Sequence, residues 1–132
     1  MKPKKKKLKP KTVSLTKLRK EADKAFYKKV VELNDGICEI CGATASTAHH
    51  FILKSRSSLL RYELKNGIAI CNSCHCKHHQ AADPSIHYTI IKKRGNEWAE
   101  EMMRLSHIIN RKYKGKEYYK NIIKELECEL LK

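Results

Sequence analysis

Acidic residues are scarce in this chain, long hydrophobic runs are missing, and nothing near its start reads as a secretory leader. Only 14 residues are Asp or Glu against 29 Lys and Arg, and none of the acids precedes Glu21. The formal charge of +15 makes a polyanion the expected partner, and nucleic acid is the commonest one. No stretch approaches the roughly 18 consecutive apolar residues of a membrane span, so no membrane association is expected. Met1 to Lys20 has neither the apolar centre nor the small-residue cleavage site of a signal peptide, which points to an intracellular, cytoplasmic protein. At 132 residues the chain is too short for a two-domain enzyme, since one domain takes about 100–150 residues. Internal repeats are absent, and the only low-complexity tract is a lysine-rich one.

That tract holds much of the charge. Lys2, Lys4, Lys5, Lys6, Lys7, Lys9, Lys11, Lys17, Arg19 and Lys20 are ten of the 29 bases, which leaves 19 bases against 14 acids, or +5, for the other 112 residues. Like charges with Pro3 and Pro10 among them repel and bury nothing, so residues 1–13 are expected to form a disordered basic arm able to touch phosphate. From Ser14 an apolar stripe of Leu15, Leu18, Ala22, Ala25, Phe26, Val30 and Leu33 predicts a helix, closed by Asn34-Asp35-Gly36 (14–36). Residues 37–82 lose the helical period and carry short β-leaning pieces, Thr47 to Ile52 and Ile68 to Ile70. After Asp83-Pro84 the segment 83–132 predicts helices over Ser85–Arg94, Glu97–Lys112 and Glu117–Leu131. The last two carry the stripes Trp98, Met102, Leu105, Ile108, Ile109 and Tyr119, Ile122, Ile123, Leu126, Leu130, expected to pack on each other or on a partner.

In a reducing compartment six cysteines are poor candidates for disulfides. Cys38-Glu39-Ile40-Cys41 and Cys71-Asn72-Ser73-Cys74 form two C-x2-C pairs with 29 residues between the inner cysteines. That spacing is compatible with a zinc ribbon, so a structural Zn2+ on Cys38, Cys41, Cys71 and Cys74 is expected to hold the middle region together. Gly42 supplies the permissive backbone of a knuckle turn. Cys76 and Cys128 are left as small buried or half-buried side chains.

Zinc on sulphur does not account for the histidines. Five of the seven fall between positions 49 and 79. A helix starting near Asn72 places His75 and His79 one turn apart, with His78 also on that side, a spacing that suits two imidazoles on one cation. Three imidazoles without a fourth protein ligand leave positions open for water and substrate, as catalytic sites require. His49 and His50 are adjacent, and in a strand neighbouring side chains diverge. One can reach the metal while the other faces substrate, where a neutral imidazole is a competent general base.

In this combination of C-x2-C, His-His, Asn66 and C-x2-C-His-x3-His, the segment Cys38 to His79 resembles the HNH endonucleases, in their zinc-bearing branch. The resemblance implies an α+β fold built on a ββα-metal motif with a four-cysteine zinc site, flanked by an N-terminal helix and C-terminal helices. It implies His49, His75 and His79 as ligands of a catalytic divalent cation (Mg2+, Mn2+, Ni2+ or Zn2+). His50 would be the general base, with Asn66 bracing the loop between the strands. The His-His form is similar to the bacterial toxin DNases of that superfamily. A looser similarity, over Leu60-Arg61-Tyr62 to Asn66 and the helices after Gly95, is to small phage HNH proteins such as recombination nucleases of the lambda Rap type, which implies a phage-encoded protein in a bacterial host and branched DNA as an alternative substrate.

The expected activity is hydrolysis of DNA phosphodiester bonds by nicking or double-strand cleavage, and the resemblance implies 5′-phosphate and 3′-hydroxyl ends. The resemblance implies a motif seated at the minor groove, where readout is degenerate, so little sequence preference is expected. Lys54, Arg56 and Arg61 are candidates for phosphate contacts. One motif carries one catalytic centre, so cutting both strands takes a homodimer or two encounters. The rival reading is a zinc ribbon that binds nucleic acid without catalysis; it needs one metal and explains neither the paired histidines nor the three-imidazole set.

Overall fold

The computed structural model describes residues 13–80 and 83–128, the side chains of His79 and Gln80 excepted. The basic arm, apart from Val13, and residues 129–132, over which the last helix was expected to run as far as Leu131, lie outside them. Within the described residues the chain is α+β: five helices and one two-stranded antiparallel sheet. None of the helices is long and apolar enough to cross a membrane.

Helix α1 spans Leu15–Leu33 and starts where the Ser14 side chain accepts the Lys17 N–H at 3.2 Å, satisfying one of the donors a helix start leaves unpaired. Its stripe Leu18, Ala22, Phe26 and Val30 is buried, as the three- and four-residue spacing requires. Asp35 and Gly36 both take positive φ, 56° and 72°, and turn the chain out of the helix.

Strand β1 (Thr47–His50) pairs antiparallel with β2 (Gly67–Ile70), with Thr47 opposite Ile70, Ala48 opposite Ala69, His49 opposite Ile68 and His50 opposite Gly67. Alternation sorts these pairs onto two faces. Ala48 and Ala69 pack with Phe26 and Val30 of α1, while Ile68 and Ile70 pack in the clusters on the other face. Gly67 allows the close approach of α1: a Cβ there would overlap Val30 and come within 3.0 Å of the Phe26 ring.

Helix α2 (Asn72–Gln80) follows β2 directly, and α3 (Ser85–Arg94) and α4 (Asn96–Ser106) are joined at Gly95, whose φ of 95° suits glycine. Arg94 at the end of α3 donates Nη1 to the Lys65 carbonyl at 2.9 Å and Nη2 to the Gly67 carbonyl at 2.8 Å, and pairs with Glu39 in the first knuckle. Trp98 donates to the same Lys65 carbonyl at 3.0 Å and lies under the Arg94 guanidinium, 4.8 Å from ring centre. One arginine thus ties α3, the first C-x2-C turn and the entry to β2 together.

The C-terminal helices depart from expectation in two ways. Helix α4 stops at Ser106, not Lys112, so Ile108 and Ile109 fall beyond it and are exposed. The two stripes also do not pack on each other. Met102 of α4 enters the cluster of Phe51, Leu60, Ile68 and Ile90, whereas α5 (Lys116–Glu127) lies along α1, with Tyr119 against Leu18 and Ala22 and Leu126 against Phe26 and Val30. Both cores lay open to these helices because the sheet has only two strands and each of its faces needs cover.

Candidate functional site

The two C-x2-C pairs meet. Sγ of Cys41 and Cys71 are 3.6 Å apart, and the four sulphurs of Cys38, Cys41, Cys71 and Cys74 lie within 4.8 Å of one another. A tetrahedral zinc with bonds of about 2.3 Å puts its sulphurs about 3.8 Å apart, so these residues fit the ion. The first pair sits on a tight turn in which the Cys38 N–H reaches the Ala43 carbonyl at 2.7 Å and Gly42 takes a φ of 79°. The second pair enters α2, where the Cys74 N–H points at Cys71 Sγ at 3.4 Å. Burial raises the Cys38 thiol, but backbone hydrogen bonds from Cys41, Cys71 and Ile40 outweigh it and bring its pKa to about 7. Cys74 is pushed up by burial and by its neighbouring thiols. Four thiolates at this separation repel one another, and a divalent cation offsets that repulsion. Cys76 is exposed, against the expectation of burial, because it falls on the outer side of α2; Cys128 is half-buried.

His49 and His50 diverge as adjacent strand residues must. His50 turns toward α1, its ring stacked on Phe26 at 4.8 Å and 12° and edge-on to Tyr27 at 5.9 Å. Its Nε2 lies 2.8 Å from the Arg61 carbonyl oxygen. A carbonyl only accepts, so Nε2 carries the proton and Nδ1 keeps its lone pair in the neutral ring. Burial, aided by the nearby Lys54 and Arg61 charges, holds the His50 pKa below its ordinary 6.5.

The loop that presents the Arg61 carbonyl is pinned by Asn66. This fully buried side chain accepts the Ile52 N–H at 2.7 Å and donates to the carbonyls of Ile52 at 3.0 Å and Leu60 at 3.2 Å. Arg61 itself grips Asp23 of α1 through two parallel bonds, 3.0 and 2.7 Å. That pair raises the Arg61 pKa further above its ordinary value.

His49 turns the other way, toward α2 and α3. Ring nitrogens of His49, His78 and His87 lie within 4.8 Å of one another. The His49 and His78 rings are 4.3 Å apart, and His78 and His87 stack at 4.9 Å. Of the ligands expected with His49, His75 keeps its ring centre 5.8 Å from that of His49, nearer than the 6.1 Å of His87, but its nitrogens are not in that group; the side chain of His79 lies outside the described residues. Spacing gave no hint of His87: it is eight residues beyond His79 with a turn between, and no motif period links it to the other histidines.

A cavity of about 250 Å³ opens beside these groups, lined by Tyr27, Thr47, Ala48, His49, His50, Lys54 and His75. The paired histidines therefore share one cavity while presenting their rings to different helices. Lys54 and Arg56 are exposed, Lys54 on the cavity and Arg56 away from its lining. Comparison of the chain with protein-family models, with curated proteins and with solved structures finds no match.

Proposed function

We propose that this chain is a metal-dependent endonuclease of the HNH type that hydrolyses DNA phosphodiester bonds, with β1, β2 and α2 as its ββα-metal unit. The observation that carries the reading is His50: a buried imidazole, fixed in one tautomer by the Arg61 carbonyl at 2.8 Å, lining a cavity beside a histidine cluster. A ring held so is a general base, since its lone pair on Nδ1 is available at neutral pH and its orientation is set beforehand.

His50 takes the proton of the attacking water, and Asn66 keeps the loop behind it from shifting. Lys54 on the cavity draws a phosphate in, joined by Arg56 and by the basic arm, whose lysines act on encounter. A divalent cation (Mg2+, Mn2+, Ni2+ or Zn2+) bound at the histidine cluster would supply Lewis-acid stabilisation of the charge that grows on the phosphate. The four cysteines and their zinc hold the unit together and take no part in the reaction. Cleavage by one centre gives nicks; double-strand breaks take a homodimer or a second encounter.

Supercoiled plasmid incubated with the protein and Mg2+, Mn2+ or Ni2+ tests the reading, with nicked and branched DNA in parallel. The expected result is nicked and linear product with 5′-phosphate and 3′-hydroxyl ends, stopped by chelator. DNA that is bound but left intact under every cation would overturn it and leave a nucleic-acid-binding zinc ribbon.

A further inference from the structure

We propose that the imidazole metal site is built by His49, His78 and His87, so that α3 supplies a ligand and the site spans three elements. It is the site of the proposed nuclease's cation and rests on that reading for its use, but not for its existence.

Cys71 immediately precedes α2 and Cys74 lies in its first turn, both buried in the sulphur cluster with Ile70 and Ile86. A residue four places after Cys74 returns to the same face, one turn further along. That residue is His78, and its ring lies 4.3 Å from that of His49 on β1. The same step from Cys71 gives His75, whose ring lies 5.8 Å from that of His49, so the seating of the two cysteines turns both histidines toward the strand, and His78 is singled out by its nearer ring and by His87 beside it.

The third ligand follows from how α3 docks. Ile86 packs on Cys71 and Cys74, and Ile90 on Phe51, Leu60 and Ile68. Between these anchors His87 is held against Phe51, ring centres 4.9 Å apart, and beside His78. Its Nε2 is buried without a hydrogen-bond partner among the described residues, an arrangement that ligation to a cation satisfies. Three nitrogens from β1, α2 and α3 within 4.8 Å of one another, walled by Phe51, can close on one ion of the kind imidazole prefers, Zn2+, Ni2+ or Co2+, by small side-chain rotations.

The test is cobalt(II) titration of the full chain with its four-cysteine site already filled with zinc. A second equivalent is expected to bind, its spectrum free of thiolate charge transfer. His87→Ala and His78→Ala should each weaken that equivalent by more than the 10- to 100-fold typical of losing an outer-shell partner, while His107→Ala, at an exposed position, should not. Proton NMR of the unmutated protein guards against misfolded variants: the rings of His49, His78 and His87 should carry the large paramagnetic shifts. Shifts on His75 and His79 in place of His78 and His87 would overturn the ligand set. Failure to bind a second equivalent would overturn the site itself. Binding by the expected ligands without DNA cleavage would leave the site standing and remove the nuclease reading alone.

Discussion

The sulphur cluster and the histidine cluster lie at opposite ends of one face of α2, yet they are made differently. The cysteines come in two tight pairs, each on a local turn, and three of the four are buried. The histidines come from β1, α2 and α3, two of the three are only half-buried, and a cavity reaches His49. A closed set of four identical ligands binds a metal and offers it to nothing else, whereas an incomplete set beside a cavity leaves positions for water and substrate. Under the proposed reading the cysteines seat α2 and the histidine site depends on that seating, so damage to one should reach the other in one direction only.

Cys38→Ser breaks the comparison most severely. Metal binding at such a site is folding free energy, so its loss should lower the melting midpoint by roughly 10 °C or more and take both metal sites with it. Thermal melts alongside metal analysis check this, and a variant with an unchanged melt would separate the sulphur cluster from the fold.

His50→Ala should do the reverse, leaving the melt and both metals in place while single-turnover cleavage falls by about 100- to 10,000-fold. Activity near that of the unmutated protein at equal metal content would remove His50 from the reaction.

Asn66→Ala is intermediate. It strands the Ile52 N–H and the Ile52 and Leu60 carbonyls in a buried setting, at a cost of roughly 2–4 kcal/mol. Urea unfolding should show that loss together with reduced cleavage, because the loop carrying the Arg61 carbonyl is no longer pinned.

Much of this was legible in the sequence for a simple reason. The C-x2-C pairs and the stripe of α1 are local patterns whose geometry does not depend on the rest of the chain, and α3 is found over Ser85–Arg94, between the Asp83-Pro84 start and Gly95, with Asp83 accepting the Ser85 N–H at 2.9 Å. The paired histidines had to diverge, and they do. What could not be read was rotation and long-range docking. His75, His78 and His79 all sit on one short helix, and it is the docking of α3, which brings His87 beside His78, that groups one of them with His49. His87 reaches the cluster because Ile86 and Ile90 enter two separate cores, and no sequence period encodes that. The stripes of α4 and α5 matched each other in pattern, but the two faces of a two-stranded sheet claimed one each.

Smaller effects sharpen the picture of the cavity. Deleting residues 1–11 removes seven lysines and should flatten the slope of log affinity against log salt by up to about six. Filter binding with the His50→Ala protein across a salt series measures it, and an identical slope would make the arm a bystander. Lys54→Gln should act more weakly still. The Lys54 charge helps to lower the His50 pKa, and the base works in its neutral form. Removing that charge lets the pKa rise toward 6.5, so at saturating cation the acidic limb of the rate profile should move slightly to higher pH. A limb that moves down, or stays fixed, would deny the coupling.

The division of labour between the two clusters is tested most directly by graded chelation of the zinc-loaded, cation-saturated protein, with cleavage and melting followed in the same samples. Mild chelation should strip the imidazole site first, abolishing cleavage while the melt moves little, and added Mn2+ or Ni2+ should restore the activity. Cleavage that survives until the thiolate-bound zinc is lost, or that disappears only together with the folded state, would contradict the account.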